Sequence, residues 1–252
     1  MWWLILLFLL GFILVHIAKM LRLYLVLMEH DIGFGRFVLL YVKTTFVNLL
    51  IPFKLGELYR IYCISRQTRH WQVGVLSVLV DRFFDTLALL IILLPMDIFL
   101  FGKLSFITLA FLGIMAVITV CYLSLLPTYG YLNRYIIKKK SSPRAMAALK
   151  GLDVAKTWYD FTHDLIKGRF ALISLFSFAG WGLEIGTLKV LAAFLQVPFG
   201  TGDFTAYIEA IFGIGESVLL KPYTLYSMIL MFAFTLFGFG VMLKRNGSQE
   251  KA

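Results

Sequence analysis

Long apolar runs alternate with short polar interruptions along the chain, and the run lengths predict helices that cross a bilayer. A crossing helix needs roughly 20 predominantly apolar residues. Runs of that order lie near residues 1–18, 34–51, 72–95, 104–126, 170–195 and 223–243. Stretches near 52–66 and 204–221 are shorter and broken by Pro, Gly and charged residues. The expected fold is all-α: a multi-pass membrane protein of about six spanning helices plus two re-entrant segments. One membrane domain, 1–252, divides into a first span and linker (1–33), a repeat unit (34–101) and a connecting span (104–126). A polar segment (127–169), a second unit (170–243) and a tail (244–252) follow.

The two broken stretches contain look-alike strings. Phe53-Lys54-Leu55-Gly56-Glu57 and Phe212-Gly213-Ile214-Gly215-Glu216 share the form F-x-[LI]-G-E. A carboxylate in apolar surroundings is costly and points to a functional site. Matched breaks in two halves are how transporters built from internal repeats reveal their binding sites.

Composition supports the bilayer: 60% of residues are hydrophobic and 15% charged, with mean hydropathy +0.86. A soluble domain carries about 25% charged residues. The first residues, Met1-Trp2-Trp3-Leu4, lack a basic start and a cleavage site, so a retained first span is expected. Cys63, Cys121 and the four histidines show no ligand spacing, and no metal or cofactor is expected.

The net charge of +10 matters less than its placement. Between 134 and 169, nine Lys/Arg face three Asp, which marks that segment as cytoplasmic. Attraction to anionic lipid is expected there, and nucleic-acid binding is not. Ser142-Pro143 reads as a helix start. Met146, Leu149, Leu152, Trp158, Phe161 and Leu165 then recur at helical spacing, predicting an amphipathic helix on the inner leaflet.

With 134–169 inside, 170–195 runs outward, 204–221 dips from outside, and the last span returns inward. Backward, 104–126 runs inward, 72–95 outward, and 52–66 dips from the cytoplasm. The two units then have opposite orientation, an inverted-topology repeat. Both termini are expected in the cytoplasm. One conflict remains: this parity puts Lys19, Arg22 and Arg36 outside.

The first unit concentrates chemistry. Asn48, Pro52, Gly56, Glu57 and Arg60 fall in one short stretch, and Pro52 with Gly56 favours a break in the helix. Glu57 and Arg60, three apart, pair on a helical turn. Asp81, Arg82 and Asp85 lie inside a spanning run and must face one another or water. Two readings fit these charges: structural ion pairs, or arginines that grip a lipid phosphate while acids position them. The second unit adds Glu184, Lys189, Glu209, Gly215, Glu216 and Lys221-Pro222. The Lys-Pro pair is expected to end another broken helix. Lys43 and Lys189 read as snorkelling side chains.

Asn48 to Arg60, N-L-L-I-P-F-K-L-G-E-L-Y-R, followed by V-D-R-F-F-D at Val80 to Asp85, resembles the lysylphosphatidylglycerol synthase transmembrane family. Its members are also called flippase-like proteins. Gly213-Ile214-Gly215-Glu216 matches the family's later glycine-rich region only loosely, without a Pro-Gly-Gly lead-in. The resemblance implies a multi-span inner-membrane protein that moves a modified lipid between leaflets, without aminoacyl transfer by this chain alone.

The expected function is a non-enzymatic translocase for an anionic or aminoacylated phospholipid or a polyprenyl-linked glycan. Arg60 and Arg82 would bind phosphate, while Glu57 and Asp85 order them or carry a coupling proton. Gly215, Glu216 and Lys221 would line the second half of the route. Without a Walker motif, ATP is not the direct driver. Two rivals stay open: a membrane glycosyl or lipid-head transferase, and a scaffold that docks a separate synthase through 134–169.

Overall fold

The computed structural model describes residues 2–30, 32–51, 55–139 and 143–249. Pro52, Phe53, Lys54 and Ser142 lie outside them, so neither the proline break nor the expected N-cap is placed. The described chain is helical almost throughout. Its helices are α1 (Trp2–Leu27), α2 (Phe34–Leu50), α3 (Gly56–Thr68), α4 (Trp71–Met96), α5 (Phe106–Lys139), α6 (Pro143–Ile166), α7 (Phe170–Leu195), α8 (Thr201–Ile211) and α9 (Leu220–Gln249). A π-helical turn, Asp97–Phe101, extends α4 just after Pro95, and the Asp97 carboxylate accepts the Ser105 amide at 2.7 Å.

Five helical stretches are long and apolar enough to cross a membrane: Trp2–Leu27, Trp71–Phe101, Phe106–Lys138, Phe170–Leu195 and Leu220–Gly238. The chain is a multi-pass α-helical membrane protein. The sixth expected span, 34–51, is α2, which at 17 residues is about 25 Å long. That falls short of a hydrocarbon core of about 30 Å.

What α2 does instead follows from its partners. Asn48 donates to Glu57, and the Lys43 ammonium sits 5.6 Å from the centre of the Tyr59 ring. Tyr41 shares a buried cluster with Ile64. As numbers fall along α2 they rise along α3, so the two helices form an antiparallel hairpin whose ends open on one face. The hairpin closes tightly because Gly56 has no Cβ: one added there would collide with the Asn48 backbone. Gly74 gives α3 the same close approach to α4, at Ser65 and the Ile61 carbonyl. The outer side of the hairpin is apolar and exposed at Leu50, Leu55, Leu58 and Tyr62.

The first span also differs from expectation. It continues nine residues beyond 18, to Leu27, because Lys19 and Arg22 find carboxylates on neighbouring helices and need no water. α1 packs along α7 in antiparallel fashion: Gly11 against Thr187, Lys19 against Glu184, Arg22 against Ser177. Arg169, just before α7, pairs with Glu29 and donates to the Leu25 carbonyl at 3.1 Å. The end of α1 and the start of α7 therefore share a face.

Trp71 meets Trp158 of α6 at 5.1 Å between ring centres, so α4 begins on that face too. α9 runs back toward it, with Phe46 near Phe232 and Leu39 near Gly238. Trp2 consequently lies on the face opposite the basic segment, whereas α9 ends on the same side as that segment. The conflict over Lys19, Arg22 and Arg36 eases in the structure: Lys19 and Arg22 pair with carboxylates inside the bundle, and Arg36 opens α2 on the basic face.

The apolar stripe of α6 is turned partly onto protein. Leu165 is buried, Phe161 packs against the clusters of α1 and α4, and Tyr122 stacks on Tyr159 at 4.7 Å. Lys221 and Pro222 fall in the first turn of α9 rather than closing a broken helix. A proline is tolerated there because first-turn amides have no intrahelical acceptor. Cys121 is exposed on α5 and Cys63 is partly buried.

Single cysteines placed at Trp3 and at Lys150, in a background with Cys63 and Cys121 replaced, test this arrangement. In oriented vesicles, a membrane-impermeant thiol reagent is expected to label them from opposite sides. Labelling of both from one side rules out the helix directions given above.

A buried ion network at the hairpin tip

Three arginines and three carboxylates meet where α1, α3, α4 and α7 converge. Arg22 is 1% exposed, and its Nε donates to Asp81 at 2.7 Å while Nη1 reaches Asp85 at 2.6 Å and Ser177 at 3.3 Å. The planar guanidinium suits this role because its fork serves two acceptors at once. On the other side of Asp81 and Asp85, Arg82 donates to them at 2.7 and 3.3 Å. Arg60 lies 3.7 Å from Asp81 and 3.2 Å from Glu57. Trp181 caps the group by donating Nε1–H to the Asp85 carbonyl at 3.1 Å.

The spacing in α4 explains the assembly. Asp81 and Asp85 are one turn apart and share a face, and Arg82 leaves the helix about 100° away, toward the hairpin. In α3, Glu57 and Arg60 are likewise one turn apart and point from the hairpin tip toward α4. The network lies roughly 10–20 Å along the helices from the basic face, at the depth of the bilayer's interior.

Satisfaction of these groups is uneven. On the Arg22 side, the buried guanidinium has partners at both Nε and Nη1. At the hairpin tip, Glu57 accepts one hydrogen bond, from Asn48 Nδ2 at 3.1 Å. Asn48 Oδ1, Glu57 Oε2, Arg60 Nε and Arg82 Nε are buried atoms without a hydrogen-bond partner. Unmade bonds of this kind each cost about 1–3 kcal/mol, so the hairpin tip is the less satisfied side of the network, held there by the longer ion pairs of Glu57 with Arg60 and Arg82. The Arg82 side chain is 38% exposed, whereas those of Arg22 and Arg60 are 1% and 5% exposed.

A second polar group adjoins the first. Lys19 pairs with Glu184 at 2.5 Å and lies over the Trp181 ring, and Tyr207 of α8 donates to Glu184 at 3.3 Å. Glu184 and Tyr207 belong to α7 and α8, so the polar interior extends toward the opposite face.

The structure brings Asn48, Gly56, Glu57, Arg60, Asp81, Arg82 and Asp85 together, as their spacing suggests. It separates Gly215, Glu216 and Lys221 from them: all three are exposed, in or beside the turn between α8 and α9. Gly213 there has φ +75°, which favours glycine. Lys43 lies against Tyr59 and Lys189 is exposed, both outside the network.

Sequence reasoning missed Arg22 as a site residue and read Lys19 as a loop charge. The available signal was the apolar run Leu23 to Leu27 after Arg22, which places that arginine within a span rather than at its end.

A family model described as the lysylphosphatidylglycerol synthase TM region matches residues 1–242. The chain belongs to this family. Comparison with curated proteins and with solved structures gave no match. Within this family member, the match spans all nine helices up to residue 242 of α9, so hairpin, α4 and α7 are parts of the family's membrane region.

Arg22→Met removes the shared partner of Asp81 and Asp85 and leaves two buried carboxylates short of a cation. A loss of about 3–5 kcal/mol is expected, read as a lower midpoint of thermal unfolding in detergent. Arg22→Lys is expected to recover only part of it, because an ammonium lacks the planar fork. An unchanged midpoint in Arg22→Met counts against the network as the tie between α1 and α4.

Proposed function

We propose that the protein is a lipid translocase, flippase or scramblase-like, that passes an anionic or aminoacylated phospholipid or a polyprenyl-linked glycan across the cytoplasmic membrane. The observation that carries this reading is Arg82. It is partly exposed beside buried Arg60, and each has a buried Nε without a hydrogen-bond partner. Guanidinium groups recognise phosphate through paired N–H donors, and free donors at membrane depth need either water or such a ligand.

In this reading the basic face, with the 134–169 segment, is cytoplasmic. The α2–α3 hairpin is a re-entrant element from that side, and α8 with its turn is the counterpart from the other. The inverted repeat is then redrawn. α1, the hairpin and α4 correspond to α7, α8 with its turn, and α9, because α1 and α7 run in opposite directions side by side. The first unit thus begins at residue 2 rather than 34. Exposed apolar side chains on the hairpin's outer side would face acyl chains while the headgroup follows the polar interior. The residues carry out binding and orientation, and no bond of the lipid is broken.

Reconstitution into liposomes with a fluorescent phosphatidylglycerol tests the reading. Wild type is expected to speed leaflet exchange at least tenfold over empty vesicles. Arg82→Ala and Arg60→Ala should lose most of that rate, and Glu216→Ala should retain it. Exchange by wild type no faster than in empty vesicles, across phosphatidylglycerol, its aminoacylated form and a polyprenyl phosphate, overturns it. A transferase would instead alter the lipid's mass, and a scaffold would lose partner capture on deletion of 140–166.

A further inference from the structure

We propose that Glu57 takes up one proton when an anionic headgroup occupies the site, so that anion binding and proton binding are linked. The proposal rests on the reading of Arg60 and Arg82 as the headgroup's partners. Its physical basis is charge balance. Arg22, Arg60 and Arg82 match Glu57, Asp81 and Asp85 one for one, and the adjoining Lys19–Glu184 pair is balanced by itself. A network away from water tolerates no net charge cheaply. An added anion therefore requires an added cation, and a proton on a carboxylate is the one that the site can hold without further ligands.

The hydrogen bonds select the carboxylate. Asp81 is held by Arg22 and Arg82, both at 2.7 Å, and Asp85 by Arg22 at 2.6 Å. Glu184 is held by Lys19 and Tyr207. Glu57 accepts one bond, from Asn48, and its Oε2 has no hydrogen-bond donor. Its two counter-charges, Arg60 at 3.2 Å and Arg82 at 3.9 Å, are the guanidinium groups that a phosphate would take. The anion both removes the cations that keep Glu57 ionised and adds a negative charge beside it. Each effect favours the protonated form. The proton comes from solvent, forms an O–H bond on Glu57, and is released when the anion leaves.

Other groups facing this interior are Asn48 and Tyr41 from α2, Arg60 from α3, and Asp81, Arg82 and Asp85 from α4. From α1 come Arg22 and His16. His16 hydrogen-bonds Tyr41 at 3.1 Å and lies within electrostatic range of Lys19 and Arg60. Histidine is the side chain whose ordinary titration falls near neutrality, so the test separates His16 from Glu57.

The experiment uses the purified chain in phosphatidylcholine nanodiscs, titrated with short-chain phosphatidylglycerol in weakly buffered solution containing a pH indicator. Wild type is expected to take up about one proton per lipid bound. Its Kd should rise with pH, by up to tenfold per pH unit where one proton is taken up per lipid bound. Glu57→Gln should bind with a flat pH profile and no proton uptake, and His16→Gln should keep both linkages. Binding by wild type without proton uptake overturns the inference while leaving the lipid-binding reading intact. Linkage that survives in Glu57→Gln, or is lost in His16→Gln, also overturns it. Wild type that binds neither this lipid nor any other anionic lipid overturns the lipid-binding reading itself. Should Glu57→Gln aggregate, proton uptake by wild type still decides.

Discussion

Charge neutralisation without water is the constraint on which this bundle depends. Each buried ion needs a partner inside, because the hydrocarbon offers none. Arg22 meets that need for two aspartates at once and adds a serine, so one side chain ties α1 to α4 and α7. Removing a methyl group from an apolar contact costs a fraction of what removing this guanidinium costs. The remaining packing, α1 along α7 through Gly11 and α3 against α4 through Gly74, brings the backbones close enough for these pairs to form.

The same network has a stiff side and a loose one. Arg22 has short bonds to carboxylates that also accept from Arg82. The hairpin tip holds to α4 by contacts of 3.7 and 3.9 Å, with several donors and acceptors unmatched. Polar groups that are only partly satisfied at low local dielectric are costly, so the hairpin tip is the weaker side of the network. Arg82, on the loose side beside the hairpin, is the most exposed arginine of the network, whereas Arg22 of α1 is buried.

Much of the site was legible in sequence. Gly56-Glu57-x-x-Arg60 and Asp81-Arg82-x-x-Asp85 each place charges one helical turn apart in an apolar run, and this alone forces them to face one another. Direction along the chain was less legible. Phe34–Leu50 has the hydropathy of a span, and nothing local says that α3 folds back onto it; the collision-free contact of Gly56 with Asn48 decides that. Lys19 and Arg22 looked like loop charges because their partners, Glu184 and Asp81, are 165 and 59 residues away. The second F-x-I-G-E string shares letters with the first but not its surroundings, since its glutamate is exposed and the first is held between α2 and α4.

At 34 residues, α5 is about 51 Å long, well beyond a hydrocarbon core of about 30 Å. It must lean, or carry its Arg134 and Lys138 end past the headgroups, and the cost of either depends on bilayer thickness. α5 leads into α6, whose Tyr159 stacks on Tyr122 and whose Trp158 rests on Trp71, the first residue of the helix that bears Asp81, Arg82 and Asp85. Bilayer thickness is therefore a mechanical input with a short lever to the charged centre.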